Sequence, residues 1–183
     1  MDPHDETPRP ETIPRLLHSE YEERPFKSCT RCGESLVDFE EGFRVSKVYN
    51  RGECIFEYAL CGPCFVGMMD EASEESKQKL AEFHNEHFRD ISSLDECGLC
   101  ENTRDGATEF GLVGICHGEG LHHSNMICED CMMKQAELVS KQTRDVWDKF
   151  KDENFPGVPT DWEPMPISDG PQRTPDNSPI VTN

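Results

Sequence analysis

Hydrophobic and polar residues change rhythm several times along this chain, and each change marks an element. Phe43-Arg44-Val45-Ser46-Lys47-Val48-Tyr49 and Cys54-Ile55-Phe56-Glu57-Tyr58-Ala59-Leu60 are two runs rich in β-branched and aromatic residues. Asn50-Arg51-Gly52-Glu53 lies between them and supplies turn residues, so the pair predicts a β-hairpin. From Phe65 the period lengthens. Phe65, Met69, Ala72, Leu80, Phe83 and His87 fall on one face of a helix reaching about Arg89, with Ser76 interrupting the stripe. The pattern leaves open whether Asp70 to Ser76 breaks that helix. The plan then repeats. Phe110-Gly111-Leu112-Val113-Gly114-Ile115-Cys116 and Ser124 to Ile127 predict two more strands. Met132, Ala136, Val139, Thr143, Val146 and Phe150 predict the packed stripe of one helix ending near Lys151.

Both ends of the chain lack such rhythm. Residues 1–24 carry Pro3, Pro8, Pro10 and Pro14 among many charges and read as a flexible lead-in. Their one apolar cluster, Ile13-Pro14-Arg15-Leu16-Leu17, belongs to a partly ordered tail, docks on the first unit, or binds a partner. Residues 152–183 hold seven spaced prolines, from Pro156 to Pro179, and read as a disordered tail with Trp162 as a candidate clip.

The repeated plan carries a repeated chemistry. Cys29-Thr30-Arg31-Cys32 precedes the first hairpin and Cys61-Gly62-Pro63-Cys64 opens the first helix; Cys97-Gly98-Leu99-Cys100 and Cys128-Glu129-Asp130-Cys131 occupy the same places downstream. Two CxxC pairs at this spacing predict one tetrahedral site of four thiolates, with zinc as the ion. Used twice, the frame predicts two structural Zn2+ ions per chain, held by Cys29, Cys32, Cys61 and Cys64 and by Cys97, Cys100, Cys128 and Cys131. It also divides the folded part into two units, 25–91 and 92–151, joined by a short connector, Ile91 to Glu96, without glycine or proline. At about 60 residues each, such units bury little core and are expected to fold with their metal. Pro63 suits the first helical position, and Glu129 and Asp130 complement the dipole of the second unit's helix.

A CxxC turn, a hairpin and a second CxxC in the first turn of a helix together resemble the treble-clef zinc finger, over about 29–90 and again over 97–151. The resemblance implies a small, metal-stabilised α+β fold with one hairpin and one long helix per unit. Its members bind nucleic acids or proteins or act as enzymes, so it does not assign an activity. Four thiolates leave zinc no open position for water or substrate, and no catalytic residue set emerges. The chain is therefore expected not to be an enzyme.

Other readings of the cysteines are weaker. Cys61-Gly62-Pro63-Cys64 also spells the active-site motif of thioredoxin-like proteins, but a hairpin precedes it where that motif needs a βαβ setting. Ten cysteines allow a secreted disulfide framework, but nothing near Met1 resembles a signal peptide. A cytoplasmic location is expected, and no stretch is long enough to cross a bilayer. Cys54 and Cys116 lie in apolar runs and are expected to be buried small hydrophobes. His117, His122 and His123 beside Cys116 form the one place where a further ligand could hide.

Charge narrows the partners. The chain carries a net −19, and each four-thiolate zinc site would add a further −2, giving −23. Phosphate backbones are repelled by such a surface, so general duplex binding is disfavoured. Arg24, Lys27, Arg31, Arg44, Lys47 and Arg51, with Phe43 and Tyr49 among them, could serve single-stranded RNA, but Glu34, Asp38, Glu40 and Glu41 offset them and a solvated face is favoured. The expected function is a protein-interaction or adaptor module that meets a partner with a basic surface and no membrane. RNA binding through unit one and a zinc-thiolate redox switch are the alternatives.

Overall fold

The computed structural model describes residues 11–157. In chain order it contains β1 (Glu11–Thr12), β2 (Phe43–Asn50), β3 (Glu53–Cys61), α1 (Gly62–Glu71), α2 (Glu74–His87), β4 (Ser93–Cys97), β5 (Glu109–His117), β6 (Gly120–Cys128), α3 (Glu129–Leu138) and α4 (Lys141–Asn154). The fold is thus a small mixed α+β arrangement with four helices among the described residues. Both hairpins form, but the return strand of the second begins at Gly120, four residues before the expected Ser124, and takes in His122 and His123. At the first turn Arg51 (φ 50) and Gly52 (φ 83) are both left-handed, the backbone that matches the twist of a two-residue hairpin loop.

The hairpins do not stay apart. β2 pairs antiparallel with β3 on one side and with β5 on the other, giving the strand order β1-β6-β5-β2-β3. β4, which starts inside the expected connector and ends on Cys97, adds to β6 in parallel. The two sequence units therefore share one sheet. The sequence cannot announce this, because β2 and β5 each alternate like any strand and their pairing is a tertiary choice.

One face of this sheet lies under the helices. Tyr58 of β3 meets Trp147 and Phe150 of α4, with ring centroids 6.1 and 5.3 Å away. Arg44 of β2 sets its guanidinium 4.6 Å from the centre of the Phe65 ring on α1. Leu60, Val113 and Ile127 are fully buried in the strands. The expected long helices are each broken. Ala72 and Ser73 leave helical geometry between α1 and α2, and Val139 and Ser140 do so between α3 and α4. The second break corrects the single helix expected in unit two, and α4 runs past Lys151 to Asn154. Serine at each restart accepts the N–H of the third residue onward, Ser76 or Thr143, satisfying a donor that a helix start would leave orphaned. Each break also resets the helical phase. Met68 and His84 are buried while the expected His87 is exposed, and Trp147 joins Val139, Thr143 and Phe150 inside.

The other face is covered by the segment expected to be a flexible lead-in, whose residues 1–10 lie outside the described region. β1 pairs with β6, and Ile13 and Leu17 are buried. Leu17 comes so close to β5 that a Cβ on Gly114 would fall 2.6 Å from its Cδ1. Burying a leucine side chain contributes about 1.5–3 kcal/mol.

Polar groups complete the docking. Lys47 of β2 is wholly buried, and its ammonium donates to the His18 carbonyl at 2.6 Å and to Glu20 Oε1 at 2.8 Å. Tyr49 Oη also donates to Glu20, while Ser19 Oγ and the Glu20 N–H donate to Glu57. Burial is the largest single influence on Lys47 and works against its charge, but the bond to Glu20 and the neighbouring Tyr49 together outweigh it and hold the pKa above the ordinary 10.5. In return the bond from Lys47, and then that from Tyr49, hold Glu20 below its ordinary 4.5.

A carboxylate depressed in the folded state stabilises fully above its ordinary pKa, and loses that contribution as pH falls through the lower folded value. Amide-exchange protection of Leu17 and Ser19 is therefore expected to fall as pH drops below about 4.5. Glu20→Gln should start from the loosened level and lack this acid-side fall; an unchanged pH profile in that variant would contradict the account.

Beyond α4, Phe155 packs on Phe56 and Phe150 at 4.6 and 5.9 Å between centroids. The rest of the expected tail, residues 158–183 with Trp162, lies outside the described residues. Among the described residues no helix is long and apolar enough to cross a membrane.

Candidate metal centres

Each cluster is assembled at a junction between hairpin and helix. Cys61 is the last residue of β3 and the residue on which α1 begins, and Cys128 stands in the same relation to β6 and α3. One further turn of helix brings round Cys64 and Cys131. The other pair of each set comes from a tight loop closed by an antiparallel bridge, Ser28 to Ser35 in unit one and Glu96 to Thr103 in unit two. The first loop is pinned to β3, because Thr30 exchanges backbone bonds with Ala59 through its N–H and its hydroxyl.

The result is two groups of four sulfurs, Cys29/Cys32/Cys61/Cys64 and Cys97/Cys100/Cys128/Cys131, each with all Sγ atoms within 4.8 Å of one another. Cys32 and Cys61 are 3.8 Å apart and Cys100 and Cys128 3.5 Å. A tetrahedral ion with bonds of about 2.3 Å to sulfur needs separations of about 3.8 Å, so the donor sets fit one ion each.

The surroundings favour negative sulfur. The Cys61 N–H points at Cys29 Sγ (3.4 Å), and the equivalent Cys128 N–H points at Cys97 Sγ (3.5 Å). Leu99 N–H adds a second donor to Cys97, and Asn102 donates its N–H to Cys100 and its side-chain amide to Cys128. Burial opposes the Cys29 charge, yet the N–H groups of Cys32, Cys61 and Arg31 outweigh it and bring the thiol down to about 7. Cys97 is lowered further, to about 4, by the bond from the Cys131 thiol and by the same kind of backbone donors. Within each group the remaining thiols then hold their protons more tightly; burial and the neighbouring sulfurs push Cys100 up to about 11 and raise Cys64, while Cys131 is raised first by Cys97. One thiolate sharing protons with crowded neighbours is the charge pattern a divalent cation would relieve.

The geometry also sorts the alternative readings. Cys61 and Cys64 lie against Cys29 and Cys32, and burial raises the Cys61 thiol, the opposite of a redox nucleophile. Cys54 is half-buried and Cys116 buried; burial raises their thiols to about 11 and about 12. Among the described residues the close ligand groups contain neither of them, and none of His117, His122 and His123.

The basic and aromatic set expected as a solvated face, or as a platform for single strands, divides: Arg24, Lys27, Arg31 and Arg51 are exposed, while its β2 members are core. Phe43, Arg44, Lys47 and Tyr49 are all buried, because β2 is an interior strand, between β3 and β5, and both its faces are covered. Arg31 and Arg24 pair with Glu71 and Glu22.

Two contributors escaped the sequence reading. Asn102, two residues beyond a ligand, has the donor chemistry to suggest its role. Arg89 gives no such signal: it follows the unit-one helix yet donates to the carbonyls of Cys97 (3.0 Å) and Cys100 (2.7 Å) in unit two.

Fold and sites together define a small mixed α+β protein with two four-cysteine groups able to hold metal. Beyond that class, no protein-family model, curated protein or solved structure matches the chain.

Proposed function

We propose that the chain is a cytoplasmic, non-enzymatic interaction module built on two structural zinc ions, each closed by four thiolates. The observation that carries this reading is the pair of four-sulfur groups at equivalent hairpin–helix junctions. Sulfur donors in a tetrahedral set favour zinc, and four of them leave no coordination position for a substrate. The bridged loop, the hairpin and the helix that opens on a ligand support a treble-clef-like description of each unit.

The partner is a protein with a basic surface. Support comes from the net charge of −19 and from the pairing of Arg31, Lys77, Lys79 and Lys141 with carboxylates, which leaves little positive surface to offer phosphates.

Metal analysis of protein purified under reducing conditions should find two zinc ions per chain, and Cys61→Ser or Cys128→Ser should each lower the count. A count of zero in reduced wild type would overturn the metal reading. For the partner, capture from cell lysate should recover protein released by salt; recovery of nucleic acid alone would reverse that part.

A further inference from the structure

We propose that the two cysteine groups take up and release metal as one cooperative pair, coupled through a pseudo-twofold seam and a pair of exchanged helix caps. The proposal rests on the reading that both groups bind zinc, and it concerns how one site regulates the other.

The seam comes first. Ser73 and Ser140 are 67 residues apart, and the same shift carries Phe43 onto Phe110, Ser46 onto Val113 and Tyr49 onto Cys116. In the β2–β5 ladder Phe43 faces Cys116, Tyr49 faces Phe110, and Ser46 faces Val113. Exchange of the units thus turns the first pairing into the second and leaves the Ser46–Val113 pair on itself, which places the axis there. This is the self-complementary contact of a twofold dimer, made within one chain. Each metal group is one strand away from it, since Cys61 pairs with Phe43 and Cys128 with Phe110.

The helices cross the same axis. α1, which carries Cys64, packs against α4 of the other unit, and α3, which carries Cys131, packs against α2. Where they cross, the caps are exchanged. In an ordinary capping box the third residue of a helix reaches back to the N–H of its own cap. Here the Ser73 N–H donates to Thr143 Oγ1 at 3.0 Å and the Ser140 N–H to Ser76 Oγ at 2.8 Å. Ser73 and Ser140 also share a hydroxyl bond of 2.8 Å, and Thr143 donates to Ser76 at 2.9 Å. Ser76 is wholly buried and Thr143 nearly so. Neither second helix can begin with its donors satisfied unless the other has begun. Arg89 adds a direct tether from the end of α2 to the carbonyls of both loop ligands in unit two.

Metal leaving one group frees the hairpin–helix junction it closed. The helix that follows then loses its anchor, and the opposite unit loses a cap, a packing surface and, from unit one, the Arg89 clamp. Coupling between sites through such a network is typically about 5–150-fold in affinity.

The full chain should be loaded with zinc and titrated with a chromophoric chelator. Wild type is expected to give up two ions in one transition with a Hill coefficient above one. Cys32→Ala, which removes a solvent-exposed ligand from the first group, should weaken zinc at the second group at least about five-fold. Ser76→Ala with Thr143→Val leaves all eight sulfurs in place; it should still bind two ions but release them in two separable steps. Wild type that binds two ions and releases them independently, or a second group unaffected by Cys32→Ala, would overturn the coupling while leaving the metal reading intact. Retention of the single transition in the Ser76/Thr143 variant would overturn the caps as its route. Wild type that binds no zinc would overturn both readings.

Discussion

Stripping the metal from the reduced chain at neutral pH is expected to abolish its cooperative fold. A structural zinc contributes roughly 10–16 kcal/mol of apparent binding free energy in small finger peptides, against a net stability of about 5–15 kcal/mol for an ordinary domain. Without an ion, each junction must hold four crowded thiols, several with raised pKa values, at the point where strand turns into helix. Loss of dispersed amide resonances and of the thermal transition on chelation, with recovery on adding zinc, is the expected result. A chelated, reduced protein with an unchanged spectrum would show that the sheet and helices stand without metal.

Gly42→Ala should be the most damaging single substitution away from the sulfurs. Gly42 precedes β2 with φ +75, and a Cβ there would collide with the Cys116 backbone carbonyl and approach the His117 ring to 2.7 Å. The left-handed backbone costs roughly 1–2 kcal/mol for a residue with a Cβ, and overpacking against a main-chain atom adds about 1–3 kcal/mol. The sum, about 3 kcal/mol, predicts a fall in Tm of roughly 6–12 °C. Gly52 has a similar φ of +83 with nothing within 4 Å of its would-be Cβ, so Gly52→Asn should lose less than about 1 kcal/mol. Equal losses in the two variants would mean that the contact with β5 is not what constrains Gly42.

Local signals account for much of the architecture. Alternation in Phe43–Tyr49 and Cys54–Leu60, with a turn that tolerates left-handed residues, was enough to place the first hairpin, since strand pairing across a short loop is a local event. The CxxC spacing likewise brought the eight sulfurs into two sets, because each pair is tied by its own short loop or helical turn. The helix breaks were harder to read. Ser73 and Ser140 resemble interior polar residues until their partners, Ser76 and Thr143, are known to be shared across the units. The basic and aromatic residues of β2 misled for a related reason. β2 is covered by a helix on one face and by the N-terminal segment on the other, and Lys47 is buried because residues 18–20 arrive with a carbonyl and a carboxylate to receive it.

By itself the amino-acid sequence determined the two hairpins, the helical stretches and the grouping of eight cysteines into two sets of four, because each follows from contacts within a short stretch of chain or from thiolate spacing. Only the tertiary structure decided that β2 and β5 join the units into one sheet, that the second helices cross to the opposite unit, and that Ile13 to Glu20 close the remaining face. Those choices compare burial and polar satisfaction over segments far apart in the chain. No local pattern encodes that comparison, since an alternating strand offers the same face to any neighbour of matching length.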